Sequence, residues 1–258
     1  MKETTVIKIK DVELHKPIMV EGLPGIGHVG KLVADHLVEE LKAEKFIELY
    51  SPHLPPQVLV NKDGTIRLVR IEFYAWKSNS ARANDLIIVV GDYQSTSNFG
   101  HYEISGVILD LALKYNVQRI YTLGGYGIGQ LVDEPVVIGA VNNPKLLDEM
   151  KKLGVLFKEN EPGGGIIGAS GLLLGLAQLK GLDAICLMGE TSGYLVDPKS
   201  AQKVLNILTK ALGIEVSMQA LEERARDMEK IVAKLREMEQ AKLISELPPT
   251  EEDLRYIR

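Results

Sequence analysis

The stretch 86–90 constrains the fold most strongly, because five apolar residues follow one another between Asp85 and Gly91. A strand with one wet face alternates apolar and polar residues. A continuous apolar run therefore predicts a strand covered on both faces, as in the centre of a parallel sheet. Other short apolar stretches alternate with helical patterns. We predict an α/β domain over residues 1–213, with a mainly parallel sheet flanked by helices.

The other strands are predicted from short apolar stretches or, at 7–10, from the alternation of apolar and charged residues typical of an edge strand. Glycine-rich segments come directly after several of these strands. We expect these glycine-rich segments to form loops at strand ends, such as 124–129 and 189–193. Asp63-Gly64 interrupts the strand–helix alternation and predicts an inserted β-hairpin, because both positions tolerate positive φ. Strands are predicted at 7–10, 18–20, 43–50, 58–60, 66–74, 85–91, 119–123, 135–141 and 184–188.

A glycine turn after the strand 18–20 fits the dinucleotide-binding spacing G-x-G-x-x-G, with Gly25, Gly27 and Gly30. In that motif the glycines allow close approach to a pyrophosphate. Pro24 lies inside the turn, and the side chain of His28 would compete with a phosphate for space. The three glycines are thus a candidate anion or ligand loop. Alternatively, they let the following helix pack closely on the sheet.

The titratable residues form no catalytic or metal-binding pattern in the sequence. None of the five histidines has the H-x-x-x-H spacing of a helical metal pair, and a G-x-S-x-G elbow is absent. A Ser–His–Asp set formed only in the fold stays open. The single cysteine, Cys186, lies in an apolar run and is expected to be a buried thiol. We therefore predict no catalytic, cofactor-binding or metal-binding residues.

Composition restricts the partners and the compartment. The net charge of −5 implies no basic face, which argues against nucleic acid. No stretch approaches the ~20 apolar residues that span a membrane, and the first residues lack the apolar core of a signal peptide. One cysteine cannot form an intrachain disulfide, so a cytoplasmic protein is expected.

The last part of the sequence has a different pattern. Residues 217–243 contain neither glycine nor proline, and a helix of that length measures about 40 Å. We predict a helical arm over 214–246 and a mobile tail over 247–258. Apolar residues recur three and four apart along this helix and form a seam, namely Met218, Leu221, Ala225, Met228, Val232 and Leu235. This seam either packs on the domain or mediates self-association or the contact with a partner.

Several motifs in order, spread over about residues 15–212, make the chain resemble the archaeal homologues of the proteasome assembly chaperones. The resemblance implies a sheet topology like that of nucleoside phosphorylases, no known catalysis and no cofactor. It also implies homo-oligomers that bind the proteasome core particle. The motifs are residues 21–30, Gly91-Asp92, 122–126, 162–168 with 171–175, and 189–194 with Asp197-Pro198.

Some archaeal members of that family are activators that dock mobile C-terminal segments into the proteasome. Those segments end in hydrophobic-Tyr-X, whereas this sequence has tyrosine third from last. An aromatic ring and a free carboxylate remain available to a basic pocket. The resemblance makes the last residues the expected partner-binding set, namely Leu254, Tyr256, Ile257 and Arg258.

Three functions are thus expected from the sequence. The leading one is a non-enzymatic proteasome assembly chaperone-like protein, activator or adaptor that presents C-terminal segments as a homo-oligomer. The first alternative is a scaffold that co-assembles with another protein through the seam. The second alternative is a nucleoside- or nucleotide-binding enzyme that uses the glycine-lined crevice.

Overall fold

A mixed sheet of eight strands organises the part of the chain that the computed structural model describes, which is residues 1–79, 84–158, 164–227 and 230. The strands are β1 (Thr5–Lys8), β2 (Ile18–Gly22), β3 (Glu44–Tyr50), β4 (Val58–Val60), β5 (Ile66–Leu68), β6 (Ile71–Trp76), β7 (Leu86–Gly91), β8 (Arg119–Gly127), β9 (Val137–Val141) and β10 (Asp183–Thr191). The order in the large sheet is β1-β3-β6-β7-β2-β8-β10-β9. The central strands β7, β2, β8 and β10 are parallel. The outer strands pair antiparallel.

Helices cover both faces of this sheet, as the α/β prediction requires. The helices are α1 (Val29–Glu40), α2 (Asn98–Lys114), α3 (Leu147–Lys152), α4 (Ala169–Leu179) and α5 (Pro198–Leu212). One apolar core includes α2 and α4, and the other includes α1 and α5. Residues of β7 alternate between the two cores: Ile87 lies in the first, and Leu86 and Ile88 lie in the second. The predicted doubly covered strand is confirmed.

The predicted hairpin is confirmed as a separate sheet of β4 and β5, with Val60 opposite Ile66. The prediction of a single strand over 66–74 was wrong, because β5 ends at Leu68 and, after two intervening residues, β6 begins at Ile71 in the large sheet. At this break the backbone N–H of Arg70 donates to Oδ2 of Asp92 at 3.0 Å. The chain thus leaves one sheet and enters the other beside the carboxyl end of β7.

Two predicted glycine loops were also wrong in their first residues. β8 continues through Gly127 and β10 continues through Thr191, and these two residues are paired in parallel register. Glycine is needed at position 125 because another chain segment lies against the strand there. A Cβ on Gly125 would lie 2.2 Å from the carbonyl oxygen of Ile26. Part of the glycine-rich sequence therefore belongs to the sheet and accommodates the glycine turn.

Beyond Gly213 the chain continues to pack on the core that includes α1 and α5. Residues 219–227 are helical. Leu221 is completely buried there, and Ala225 is nearly so. The carbonyl oxygen of Ser217 lies 2.6 Å from Nε2 of His36. The start of the predicted arm is therefore attached to the domain.

Candidate functional site

The glycine turn lies against the carboxyl ends of β8 and β10. Gly27 has a φ of 60°, and a Cβ on it would lie 2.7 Å from Oγ1 of Thr191. A Cβ on Gly30 would lie 2.2 Å from the carbonyl oxygen of Leu123. Gly25 is less restricted, since its nearest neighbour would be Nε2 of Gln94 at 3.6 Å. Close packing of the glycine turn on Thr191 and of α1 on Leu123 thus accounts for Gly27 and Gly30 without a ligand.

Gln94 bridges two segments outside the carboxyl ends of the strands, the region where ligands of open parallel sheets usually bind. Its Nε2 donates to the carbonyl oxygen of Pro24 at 2.7 Å. Its Oε1 accepts from the backbone N–H of Ala169 at 3.0 Å. One amide thus joins the glycine turn to the first residue of α4. An anion at that helix end would have to displace it.

Glu21 is a buried carboxyl group beneath the glycine turn. The backbone N–H of Leu23 donates to its Oε1 at 3.0 Å. Burial raises the pKa of Glu21 to about 7, although the hydrogen bonds from Leu23 and Ser170 oppose this shift. A carboxyl that titrates near neutrality is typical of acid–base catalysts. Glu21 has no exposed surface, however, so a substrate does not reach it.

The hydroxyl of Ser170 indicates how Glu21 is accommodated. Its Oγ lies 3.2 Å from Oε2 of Glu21 and 3.1 Å from the carbonyl oxygen of Leu123. One hydroxyl proton cannot be donated to both oxygens. Ser170 donates to Glu21 when the carboxyl group is ionised; when Glu21 is protonated, it can donate to Ser170 while Ser170 donates to Leu123. Ser170 can thus serve both protonation states, and burial is what raises the pKa of Glu21.

A serine, a histidine and a glutamate meet at the start of α2, which differs from the Ser–His–Asp set that the sequence left open. Nε2 of His53 lies 2.7 Å from Oε2 of Glu103. Nδ1 of His53 lies 3.5 Å from Oγ of Ser97. That Oγ also accepts from the backbone N–H of Gly100, so Ser97 is the N-cap of α2. The cluster attaches the segment around His53 to α2.

Asp92 also lies at the carboxyl end of β7, where catalytic acids are often found. Arg67 holds it with two hydrogen bonds of 2.6 and 2.8 Å. Burial alone would raise the pKa of Asp92, but the hydrogen bonds from Arg67 and Arg70 lower it below its ordinary value. Asp92 is therefore an ionised anchor for β5. Cys186 is buried as expected, and burial raises the pKa of its thiol to about 12.

The predicted site residues fall into three sets. Gly25, Gly27 and Gly30 lie together in the glycine turn. Met218 is partly buried and Leu221 is fully buried against the chain's own core. The remaining predicted residues lie outside the described residues: Met228, Val232, Leu235, Leu254, Tyr256, Ile257 and Arg258.

Two general features of the described residues bear on function. Within those ranges, no group of three or more histidine, cysteine or acidic side chains is arranged to hold a metal ion. None of the helices that could be described is both long enough and apolar enough to span a membrane.

Sequence reasoning missed Gln94, Glu21 and the contact of His53 with Glu103. Glu21 had a visible signal, since it is the charged residue of the otherwise apolar strand Ile18–Gly22. Gln94 had none, because its partners lie 70 and 75 residues away in the chain.

Comparison with known proteins places these features in a family. The PAC2 family model matches residues 19–236. The crystal structure of Pyrococcus furiosus PbaB, described as an archaeal proteasome activator, has 46% sequence identity and a TM-score of 0.88, covering 92% of this chain and 100% of that chain. P. furiosus PbaA, described as an archaeal homolog of proteasome-assembly chaperone, has 31% identity and a TM-score of 0.75, with 95% and 97% covered.

A curated relative extends over nearly the whole chain. An uncharacterized protein of Methanocaldococcus jannaschii is 46% identical over 253 residues, which is 97% of this chain and 96% of that protein. The resemblance inferred from the ordered motifs is confirmed, and this chain belongs to the PAC2 family.

Proposed function

We propose that this protein is a non-enzymatic proteasome activator or assembly chaperone-like protein of the cytoplasm. It acts as a homo-oligomer that presents C-terminal segments to the proteasome core particle. The observation that carries this proposal is the similarity, over the full length of PbaB, to a structure described as an archaeal proteasome activator.

The geometry at the carboxyl ends of the strands supports a function without catalysis. Gln94 bridges the glycine turn and the first residue of α4, and Asp92 is paired with Arg67. Glu21 is buried away from any substrate. The nucleotide-binding alternative therefore has less support than protein binding. Isothermal titration with nucleotides, nucleosides and phosphate tests it, and heat of binding would restore it.

The contact with the proteasome is assigned to residues 247–258. In this proposal the core over 1–213 and the arm over 214–246 carry that segment. The burial of Leu221 and the hydrogen bond between His36 and Ser217 support a firm base for the arm. The burial of Leu221 counts against the scaffold alternative, because this residue of the seam already packs within its own chain.

The test is binding to an immobilised archaeal core particle. The full chain is compared with a chain that ends at Glu246 and with Tyr256→Ala. Tyr194→Ala is the matched control, because Tyr194 is an exposed tyrosine on the domain. We expect the truncation to abolish binding and Tyr256→Ala to weaken it roughly tenfold or more, as loss of a buried aromatic anchor does. Unchanged binding by the truncated chain would refute the assignment.

A further inference from the structure

The first turn of α4 is held on the sheet by contacts with other parts of the chain. The helix begins after Gly168, which has a φ of 92° and offers no side chain to cap the helix. Oε1 of Gln94 accepts from the backbone N–H of Ala169, and Oγ of Ser170 contacts two oxygens of the sheet strands. Just before the turn, Ile167 is 95% exposed. This turn is therefore a boundary between the packed domain and solvent.

A row of buried polar side chains lies in the sheet on the side that α4 covers. Glu21 of β2 is next to Thr122 of β8, and Thr122 is next to Cys186 of β10 in the parallel register. All of them are completely buried. The thiol of Cys186 is the titratable group nearest to Glu21 in this row, and it stays neutral near pH 7 because burial raises its pKa to about 12.

Glu21 has no counter-ion in this environment. Within the described ranges, no charged side chain forms an ion pair or a hydrogen bond with it. Its hydrogen-bond donors are the backbone N–H of Leu23, at the start of the glycine turn, and the hydroxyl of Ser170 on α4. An ionised Glu21 is thus a buried charge without a partner of opposite sign, which is unfavourable.

Loss of the Glu21 proton changes the contacts that hold the turn. With the proton bound, Glu21 can donate to Ser170 while Ser170 donates to the carbonyl oxygen of Leu123. When Glu21 is ionised, Ser170 can donate to it only if Leu123 loses its hydrogen bond. Water would stabilise the carboxylate better, because it supplies further donors. Ionisation therefore favours any movement that lets water reach Glu21.

The first turn of α4 is the part of this enclosure that can move with the fewest broken contacts. The strands β2, β8 and β10 are each paired on both sides in the sheet. Displacing any of them would break many backbone hydrogen bonds at once. Release of the turn breaks only the side-chain contacts of Gln94 and Ser170 together with local packing. Such local openings cost less free energy than global unfolding.

We propose that Glu21 is a proton-operated latch for the first turn of α4. While Glu21 holds its proton, the turn stays on the sheet. Loss of the proton shifts the equilibrium towards an open state in which water reaches the carboxylate. Opening also breaks the bridge that Gln94 makes between α4 and the glycine turn. The latch requires neither a second copy of the chain nor the core particle.

Hydrogen exchange followed by mass spectrometry tests the latch on the full chain, with protection corrected for the intrinsic exchange rate at each pH. Between the ordinary carboxyl pKa of 4.5 and the raised pKa of about 7, opening releases one proton. The opening constant should therefore rise by up to about tenfold per pH unit in this window. We expect the start of α4 to lose protection by this factor in wild type. In Glu21→Gln its protection should not depend on pH.

Two controls separate the latch from other causes. Glu40→Gln should behave like wild type, because Glu40 is an exposed glutamate at the end of α1. Gln94→Ala removes the other side-chain contact that holds the turn. It should lower the protection of the start of α4 roughly fivefold at every pH without changing the pH dependence, since it removes one hydrogen bond and no titrating group.

A loss of protection with rising pH that is confined to the start of α4 and absent from Glu21→Gln supports the latch. An equal pH dependence in wild type and Glu21→Gln overturns it, and so does protection that does not change with pH in wild type. An equal loss in α5, which packs on the other face of the sheet, would mean that the whole domain opens and would also overturn it. If Glu21→Gln does not fold, the comparison of α4 with α5 in wild type still decides. Core-particle binding does not enter the measurement, so the latch and the proposed function can fail independently.

Discussion

Glu21 makes the stability of this protein depend on pH in the opposite sense to a salt-bridged carboxylate. Burial raises its pKa from 4.5 to about 7. Since one pKa unit corresponds to about 1.4 kcal/mol, this gap corresponds to about 3 kcal/mol of unfolding free energy. The stabilisation is fully present below the unfolded value of 4.5, and it is lost as the pH rises through about 7.

Glu21→Gln isolates this contribution, because glutamine resembles the protonated acid. Its oxygen can still accept from Leu23, and its amide can donate to Ser170. We expect the variant and the wild type to be about equally stable near pH 4.5. Near pH 8 the variant should be more stable by about 3 kcal/mol.

Urea unfolding at several pH values measures the difference. Glu40→Gln is the matched control, because Glu40 is an exposed glutamate at the end of α1. Comparison of variant with wild type at each pH cancels the other carboxylates, including Asp92. If the difference between Glu21→Gln and wild type is the same at every pH, Glu21 does not titrate in this range and the argument from burial is wrong.

Two further predictions concern packing. Gly30→Ala should destabilise the fold by about 2 kcal/mol or more, because the new Cβ would lie 2.2 Å from the carbonyl oxygen of Leu123. Gly25→Ala is the control and should be tolerated, because no atom lies that close to its Cβ. Thermal melting compares the two variants, and equal melting temperatures would contradict the explanation of the turn by packing. Leu221→Ala should cost about 2–4 kcal/mol of unfolding free energy even in a monomer, because its side chain is buried in its own chain. An unchanged stability with a changed oligomeric mass would instead assign Leu221 to an interface.

Local patterns were sufficient for much of the fold. The apolar run in β7 identified a central strand, and Asp63-Gly64 identified the hairpin, because each signal lies within a few residues. The extension of β8 through Gly127 could not be predicted in the same way. Glycine disfavours strands locally, and only the approach of Ile26 from another segment explains the glycine at 125.

The site was less predictable because its contacts are long-range. The role of Gln94 depends on Pro24 and Ala169, which come together only in the folded sheet. The glycine spacing alone suggested a dinucleotide, and the neighbours of Gly27 and Gly30 explain it by packing instead. The order of the motifs, by contrast, identified the family from the sequence, because the motifs lie at several different strand ends and were considered together.

The central claim is that this protein binds the proteasome core particle as an assembly of several copies. The most direct measurement is the mass of the complex, by size-exclusion chromatography with multi-angle light scattering of the full chain mixed with an archaeal core particle. The account predicts co-elution at a mass that exceeds the core particle by several copies of this chain. Separate elution of the two proteins at their individual masses would contradict it.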